Sequence, residues 1–166
     1  MSVSLYGSGN TVIQVQSTTI TTQFSTTSTS FVDITGFNVS ITPQSTTSKI
    51  LIMVNGYWCP SPGGYTGITK LVRNSTDIDV GTVTGSSTPG FSGITSQGNN
   101  PQNGGNFVTT YLDSPATTPT LTYKIQVVAY NAGSTGTIYI NRSSDTTSIN
   151  TPVTSSTITV MEIAYA

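Results

Sequence analysis

The sequence predicts an all-β protein, and three observations support this fold class. Apolar and polar residues alternate along most of the chain, as they do in strands that have one buried face. Ser and Thr together make up about a third of the residues, and the β-branched Thr side chain suits a pleated surface. No segment has apolar residues at the spacing of an amphipathic helix. We therefore expect roughly nine or ten strands and almost no helix.

The predicted strands are short and are separated by turn residues, which indicates an antiparallel β-sandwich or jelly roll. In residues 37–42, Phe37, Val39 and Ile41 alternate with polar residues and are expected to face inward. Residues 49–57 are apolar on both faces, which predicts a central strand covered on two sides. The remaining predicted strands are residues 11–16, 18–24, 68–73, 77–83, 107–112, 121–130, 137–141 and 156–164.

The chain is predicted to form a short N-terminal arm, residues 1–10, and a single β-sandwich domain, residues 11–166. Two segments interrupt the alternation. Residues 58–67 form a Pro- and Gly-rich segment that contains aromatic residues, and residues 84–106 form a long, charge-free loop rich in Gly, Asn and Ser. Loops of such length are usually functional or disordered.

The composition argues against an enzyme. The chain has no His and one Cys, and 7% of its residues are charged, so catalysis or metal binding that depends on imidazole is excluded. Asp77 and Asp79 form the one closely spaced pair of carboxylates, and a solvated hairpin face explains them more simply than a cation site. We expect no catalytic residue, no cofactor and no bound metal.

The charges also argue against nucleic acid and membrane partners. Five basic residues are scattered along a chain with a net charge of −1, which gives no stripe for binding phosphates. The longest apolar run, residues 50–54, is far shorter than the roughly 20 residues that span a bilayer. The first ten residues lack the basic and apolar segments of a secretion signal, so we expect synthesis in a cytosol.

Aromatic residues in the two irregular segments are the candidate contacts for a ligand or partner. Flat aromatic faces beside Asn and Asp are typical of sugar-binding sites, although the same side chains could close one end of the sandwich or line a subunit seam. The candidates are Tyr57, Trp58, Tyr65 and Phe91. Tyrosines are enriched at interfaces, and those of the later strands are candidates for a seam between subunits, namely Tyr123, Tyr130, Tyr139 and Tyr165. The alternative is that they fill the core of a single sandwich.

Several segments together resemble a β-sandwich module of bacteriophage virion proteins, found especially in the C-terminal head domains of phage tail fibres. The similar segments are residues 18–41, residues 43–54 with their Ser-Lys-Ile-Leu core, residues 71–78, 112–115, 121–126, 139–143 and 158–163. The resemblance implies a tumour-necrosis-factor-like jelly roll that assembles as a homotrimer and is located in the virion. Residues 58–67 and 84–106 depart from the module.

We therefore expect a non-enzymatic virion surface protein, most simply a trimeric capsid decoration protein of the cement or head-fibre type. The alternative is the receptor-binding head of a tail fibre that attaches to the host surface. Only about ten residues precede the first module-like segment, so the module is expected to attach by its own faces, which favours decoration. Its expected partners are other virion proteins, such as the major capsid protein or tail proteins, and a host surface glycan is a further candidate.

Overall fold

The computed structural model describes residues 10–63, 65–96, 100, 102, 104–130 and 136–164, and within them the chain forms strands without any helix. The strands are β1 (Thr11–Ile20), β2 (Phe24–Thr26), β3 (Val32–Ile41), β4 (Lys49–Pro60), β5 (Thr66–Arg73), β6 (Thr76–Ile78), β7 (Ser92–Thr95), β8 (Gly105–Asp113), β9 (Leu121–Tyr130), β10 (Ile138–Ile140) and β11 (Ser156–Ala164). In this part of the chain no helix has the length and apolarity needed to cross a membrane.

The strands form two antiparallel sheets. In the first sheet β1, β11, β4 and β8 lie side by side, and β10 and β2 extend it beyond the end of β11. In the second sheet β3, β9 and β5 lie side by side, and β6 and β7 pair with the two halves of β5. The prediction of an all-β, antiparallel sandwich is confirmed.

The order of the strands is that of a jelly roll. When the short β2 and β10 are set aside and β6 and β7 are taken as one strand, eight strands remain. Counted along the chain, the first, eighth, third and sixth form one sheet, and the second, seventh, fourth and fifth form the other. This arrangement gives the two interlocked Greek keys by which jelly rolls join two sheets.

The core lies between the two sheets and has an aromatic centre. Phe107 on β8 contacts Phe37 of the second sheet, with ring centroids 6.2 Å apart, and Trp58 of its own sheet at 5.5 Å, both edge to face. Val39 and Ile41 are buried with Phe37, as their alternation predicts. A period of two in the sequence therefore identified the inner face of β3 correctly.

A buried polar cluster joins the two sheets where β8 ends. The carboxylate of Asp113 accepts two hydrogen bonds from Arg73 Nη1, at 2.7 and 2.8 Å, and one from the Tyr123 hydroxyl at 2.7 Å. Burial, followed by the neighbouring Asp113 carboxylate, raises the pKa of Tyr123 strongly, so its hydroxyl stays protonated. Because Asp113 is on the first sheet and both donors are on the second, the cluster fixes how the sheets face each other.

The irregular segments have other boundaries than predicted. β4 extends to Pro60 and β5 begins at Thr66, because pairing with β10 continues the first sheet through Trp58. The predicted strand 77–83 ends at Ile78, since Asp79 has a φ of 53° and leaves the extended conformation. Strand β7 interrupts the predicted loop at residues 84–106, and β8 begins before that loop was expected to end.

Candidate functional site

Four apolar side chains form a line across the outer face of the first sheet. The strand registers pair Val15 with Met161, Met161 with Leu51, and Leu51 with Leu112. Leu51 and Met161 each lie between two buried residues of their own strands and therefore point away from the core. Val15 and Leu112 share this face because the registers place them directly opposite Met161 and Leu51. We call this line the apolar row.

The apolar row is accessible to a partner. Val15 is 52% exposed and Leu112 is 42% exposed, whereas Leu51 and Met161 in the middle are partly covered by their neighbours. The row continues into a shallow depression of about 400 Å³ whose lining includes Met53. Single exposed apolar residues are normal on a protein surface, but a contiguous group across four strands is typical of an interaction site.

The polar groups on the same face are mostly uncharged. Ser17 and Thr159 share a hydrogen bond between their hydroxyls at 2.8 Å, and Thr19 and Thr157 share another at 2.9 Å. Among the described residues of β1, β4, β8 and β11, Lys49 is the one charged side chain that points outward, and it donates to Ser114 at 3.0 Å. Covering this face would therefore remove few charges from water, which keeps the cost of burial low.

The outer face of the second sheet has a different chemistry. Lys124 pairs with Asp33 at 2.8 Å, and Lys70 pairs with Asp77 at 2.8 Å while its ammonium lies 4.3 Å from the centre of the Phe31 ring. Partial burial by itself would raise the pKa of Asp33. Hydrogen bonds from Lys124 and Gln126, together with the charge of the lysine, outweigh this effect and lower the pKa. The charged groups of this face already have partners within the chain.

The structure separates the two adjacent aromatic candidates. Consecutive strand residues point to opposite faces, so Tyr57 lies on the outer face of the first sheet and Trp58 lies in the core, where it is 1% exposed. Trp58 packs against Phe107 and has no surface for a ligand, which corrects its selection as a contact residue. Tyr57 is half-buried and hydrogen-bonds to Ser143; burial raises its pKa more than this bond lowers it.

The other two candidates lie at the ends of the sandwich. Tyr65 is half-buried, and its ring packs over the backbone of Gly63 and Gly136 at a distance that leaves no room for a side chain at Gly136. Phe91 covers the rim of the core, with its ring 6.3 Å from that of Phe107. The four predicted aromatics therefore do not form one surface, and ligand contact by Tyr57, Tyr65 and Phe91 stays a prediction.

The tyrosines proposed as a subunit seam are also dispersed. Tyr123 is fully buried and bonded to Asp113, so its place in a seam was wrong. Tyr130 lies at the end of β9 in the second sheet, and Tyr139 lies in the first sheet beneath the Arg142 guanidinium. Tyr165 is outside the described residues.

The two aspartates with the closest spacing do not form a joint site. Asp77 is engaged by Lys70, while Asp79 accepts a hydrogen bond from Thr109 of the first sheet. Within the described ranges no group of three or more potential ligands could hold a metal ion. Cys59 is buried, and the nearby Ser143 hydroxyl lies 3.8 Å from its sulfur.

The apolar row was not predicted from the sequence, although one stretch of the sequence indicated it. Residues 49–57 are apolar on both faces, and this was attributed to a central strand covered on two sides. In the structure only one face of β4 lies against the second sheet, so Leu51 and Met53 are left on the outer surface. This stretch therefore marked an uncovered apolar face rather than a second layer of the fold.

No protein-family model and no curated protein matches the chain. Solved structures that resemble it include infectious bursal disease virus, Gx strain, with 15% identity and a TM-score of 0.44 over 92% of this chain and 40% of the viral chain. A crystal structure of the viral particle of the same virus has 12% identity and a TM-score of 0.45 over 92% of this chain and 38% of that one. The chain thus spans about two fifths of the length of these viral chains.

Proposed function

We propose that this chain is a non-enzymatic virion structural protein that forms a homotrimer through the outer face of its first sheet and decorates the capsid surface. The observation that carries the proposal is the apolar row, Val15, Met161, Leu51 and Leu112, on a face with almost no charge. The resemblance of the sequence to phage virion modules, which implies a trimer, supports the number of subunits and the location.

Burial of the apolar row between subunits would supply free energy of association. Full burial of a Val, Leu or Met side chain is worth roughly 1.5–3 kcal/mol, and three subunits would each contribute a row. Association also costs several kcal/mol of lost rigid-body freedom, so a small apolar patch would not suffice by itself. The adjoining hydroxyl pairs, Ser17 with Thr159 and Thr19 with Thr157, add polar groups that already have partners and need little from a neighbouring subunit.

The second sheet then becomes the outward surface of the trimer. Its ion pairs, Lys124 with Asp33 and Lys70 with Asp77, keep it hydrated. A trimer held in this way has its loops free to contact the shell, which is consistent with a decoration protein that attaches by its own faces. The alternative, a receptor-binding head, uses the same trimer and differs in what the loops contact.

Light scattering from the purified protein tests assembly. We expect three times the chain mass of 17.3 kDa for the wild type and the mass of one chain for Leu51→Glu with Met161→Glu, because each carboxylate would have to be buried. Thr35→Glu, on the exposed outer face of β3, is the matched control and should stay trimeric. A monomeric wild type, or a trimeric double variant with a native circular dichroism spectrum, would contradict the proposal.

Binding to shells and to cells distinguishes decoration from receptor binding. Labelled wild-type protein should bind capsid shells stripped of surface proteins, and deletion of residues 85–87, which lie in an exposed turn before β7, should weaken this binding while host adsorption stays normal. Saturable binding to host cells without binding to shells would instead support the receptor-binding head.

A further inference from the structure

A second surface feature lies at the end of the first sheet, apart from the apolar row. The segment between β10 and β11, residues 141–155, folds against the link between β1 and β2 and encloses a depression of about 370 Å³. This volume falls within the roughly 300–1,000 Å³ of small-ligand sites. Its lining includes polar and apolar side chains, namely Gln23, Arg142, Asp145, Thr151, Ile149 and Val153.

The guanidinium in this depression is held in place without an ion-pair partner. Arg142 lies over the ring of Tyr139, with Cζ 4.2 Å from the ring centre, which is within cation–π distance. It forms no salt bridge with a described residue. The contact with the ring uses the charge of the guanidinium, and its N–H groups are the donors that bind ligand oxygens.

A carboxylate in the same depression offers acceptors. Asp145 Oδ1 accepts the backbone N–H and the hydroxyl of Thr147, at 2.8 and 2.7 Å, and no described residue donates to its Oδ2. These two hydrogen bonds lower the pKa of Asp145, so the group is ionised at neutral pH. With one cation and one anion in its lining, the depression carries little net charge and can both donate and accept hydrogen bonds.

The walls are fixed by the side chain of Asn141 and by a backbone bridge at Arg142. The buried amide of Asn141 donates to the carbonyls of Ile20 and Thr22, both at 3.1 Å, and its oxygen accepts from Ser156 at 2.6 Å. Arg142 forms an antiparallel bridge with Val153 across the segment. A ligand would therefore meet a pocket that is already formed, which reduces the entropic cost of binding.

From this geometry we infer a saccharide-binding site, with Arg142, Asp145 and Gln23 as the polar contacts and Ile149 and Val153 as an apolar wall. Sugar hydroxyls both donate and accept hydrogen bonds, which matches a lining that contains a guanidinium, a carboxylate and an amide. The C–H face of a pyranose ring matches the apolar side chains, of which Ile149 is fully exposed and Val153 is 69% exposed. The balance of charge favours a neutral sugar over an acidic one. This inference is independent of the trimer interface.

Saturation-transfer NMR on the full-length protein tests the site with neutral mono- and disaccharides and with a hexuronic acid. We expect transfer to at least one neutral sugar and a loss of about tenfold or more in affinity for Arg142→Met, which can still pack on Tyr139 but has no donors. Lys124→Met, on the outer face of the second sheet, removes the same charge and is the matched control. It should bind as the wild type does.

Two results would overturn the inference. The first is the absence of transfer to every neutral sugar, including the case in which only the hexuronic acid binds. The second is equal binding by wild type and Arg142→Met. Asp145→Asn retains an oxygen for Thr147 and should weaken binding while leaving the melting temperature unchanged, which separates a lost contact from a misfolded segment. The monomeric variant of the first sheet should still bind, so failure of the trimer proposal would be seen separately.

Discussion

The outer faces of the two sheets are both formed by antiparallel strands, but the first has an apolar centre and the second carries ion pairs. On the first sheet, Leu51 and Met161 lie at the centre of an apolar row that runs across four strands. On the second sheet, the equivalent central strands β5 and β9 present Lys70 and Lys124, each paired with an aspartate of a neighbouring strand. The few charges in the chain are therefore distributed unevenly between the two faces.

Because 7% of the residues are charged and these ion pairs lie on the second sheet, one face remains hydrated while the other is available to a partner. Ion pairs on a surface add little to stability, typically 0 to about 1 kcal/mol, but they keep that surface hydrated. Apolar side chains on an open sheet are only partly covered in one chain and gain the rest of their burial free energy when another surface covers them. The second face thus suits solvent and the first suits assembly.

The largest effect should come from the core that both faces share. Phe107→Ala removes the ring that contacts Phe37 and Trp58 and should cost about 3–5 kcal/mol of unfolding free energy. Urea unfolding measures this loss in the monomeric background of Leu51→Glu with Met161→Glu. Val108→Ala, the next residue along β8 and 62% exposed, is the control and should change stability by about 0.5 kcal/mol or less. Similar losses for both variants would contradict the assigned faces of β8.

The intermediate effect should concern assembly alone. Val15→Thr and Leu112→Thr change the two ends of the apolar row. Thr is as suitable for a strand as the residues it replaces, but its hydroxyl makes each end polar. Each should weaken trimer association by roughly tenfold or more, since burial of such a side chain is worth about 1.5–3 kcal/mol. Sedimentation over a dilution series measures this change. Asn38→Thr, exposed on the second sheet, should leave association unchanged; an equal effect there would mean that the faces do not differ in function.

The smallest effect should come from the ion pair of Asp33 on the second sheet. Asp33→Asn should lower the unfolding free energy by about 0.2–1 kcal/mol at neutral pH, because the pair is largely exposed to solvent. The pKa of Asp33 is lower in the folded state than the ordinary aspartate value of 3.8, so the contribution is present above that pH and is lost as the pH falls through the folded-state pKa. Urea midpoints of wild type and variant should therefore converge in acid, and a difference that grew in acid would be evidence against this sign.

The candidate site was predicted less well than the fold. Tyr57 and Trp58 were predicted as contacts of one ligand because they are adjacent in the chain. Within a strand, however, adjacent residues have their side chains on opposite faces. Tyr123 was selected for an interface because tyrosine is common there, whereas the buried carboxylate of Asp113 gives this hydroxyl a partner inside the core. In both cases residue type suggested a role that depended on which side of a strand the residue occupies.

The sequence by itself determined the class of the fold and most of the strands, because alternation with a period of two is a local property that needs no knowledge of distant residues. Phe37, Val39 and Ile41 are buried as this alternation requires. Only the tertiary structure decided that Val15 and Met161 become neighbours, since they lie in strands near opposite ends of the chain. Strand register depends on long-range pairing, and a slip of one residue would move each side chain to the other face. The apolar row is therefore a property of the assembled sheet, which no single segment of the sequence contains.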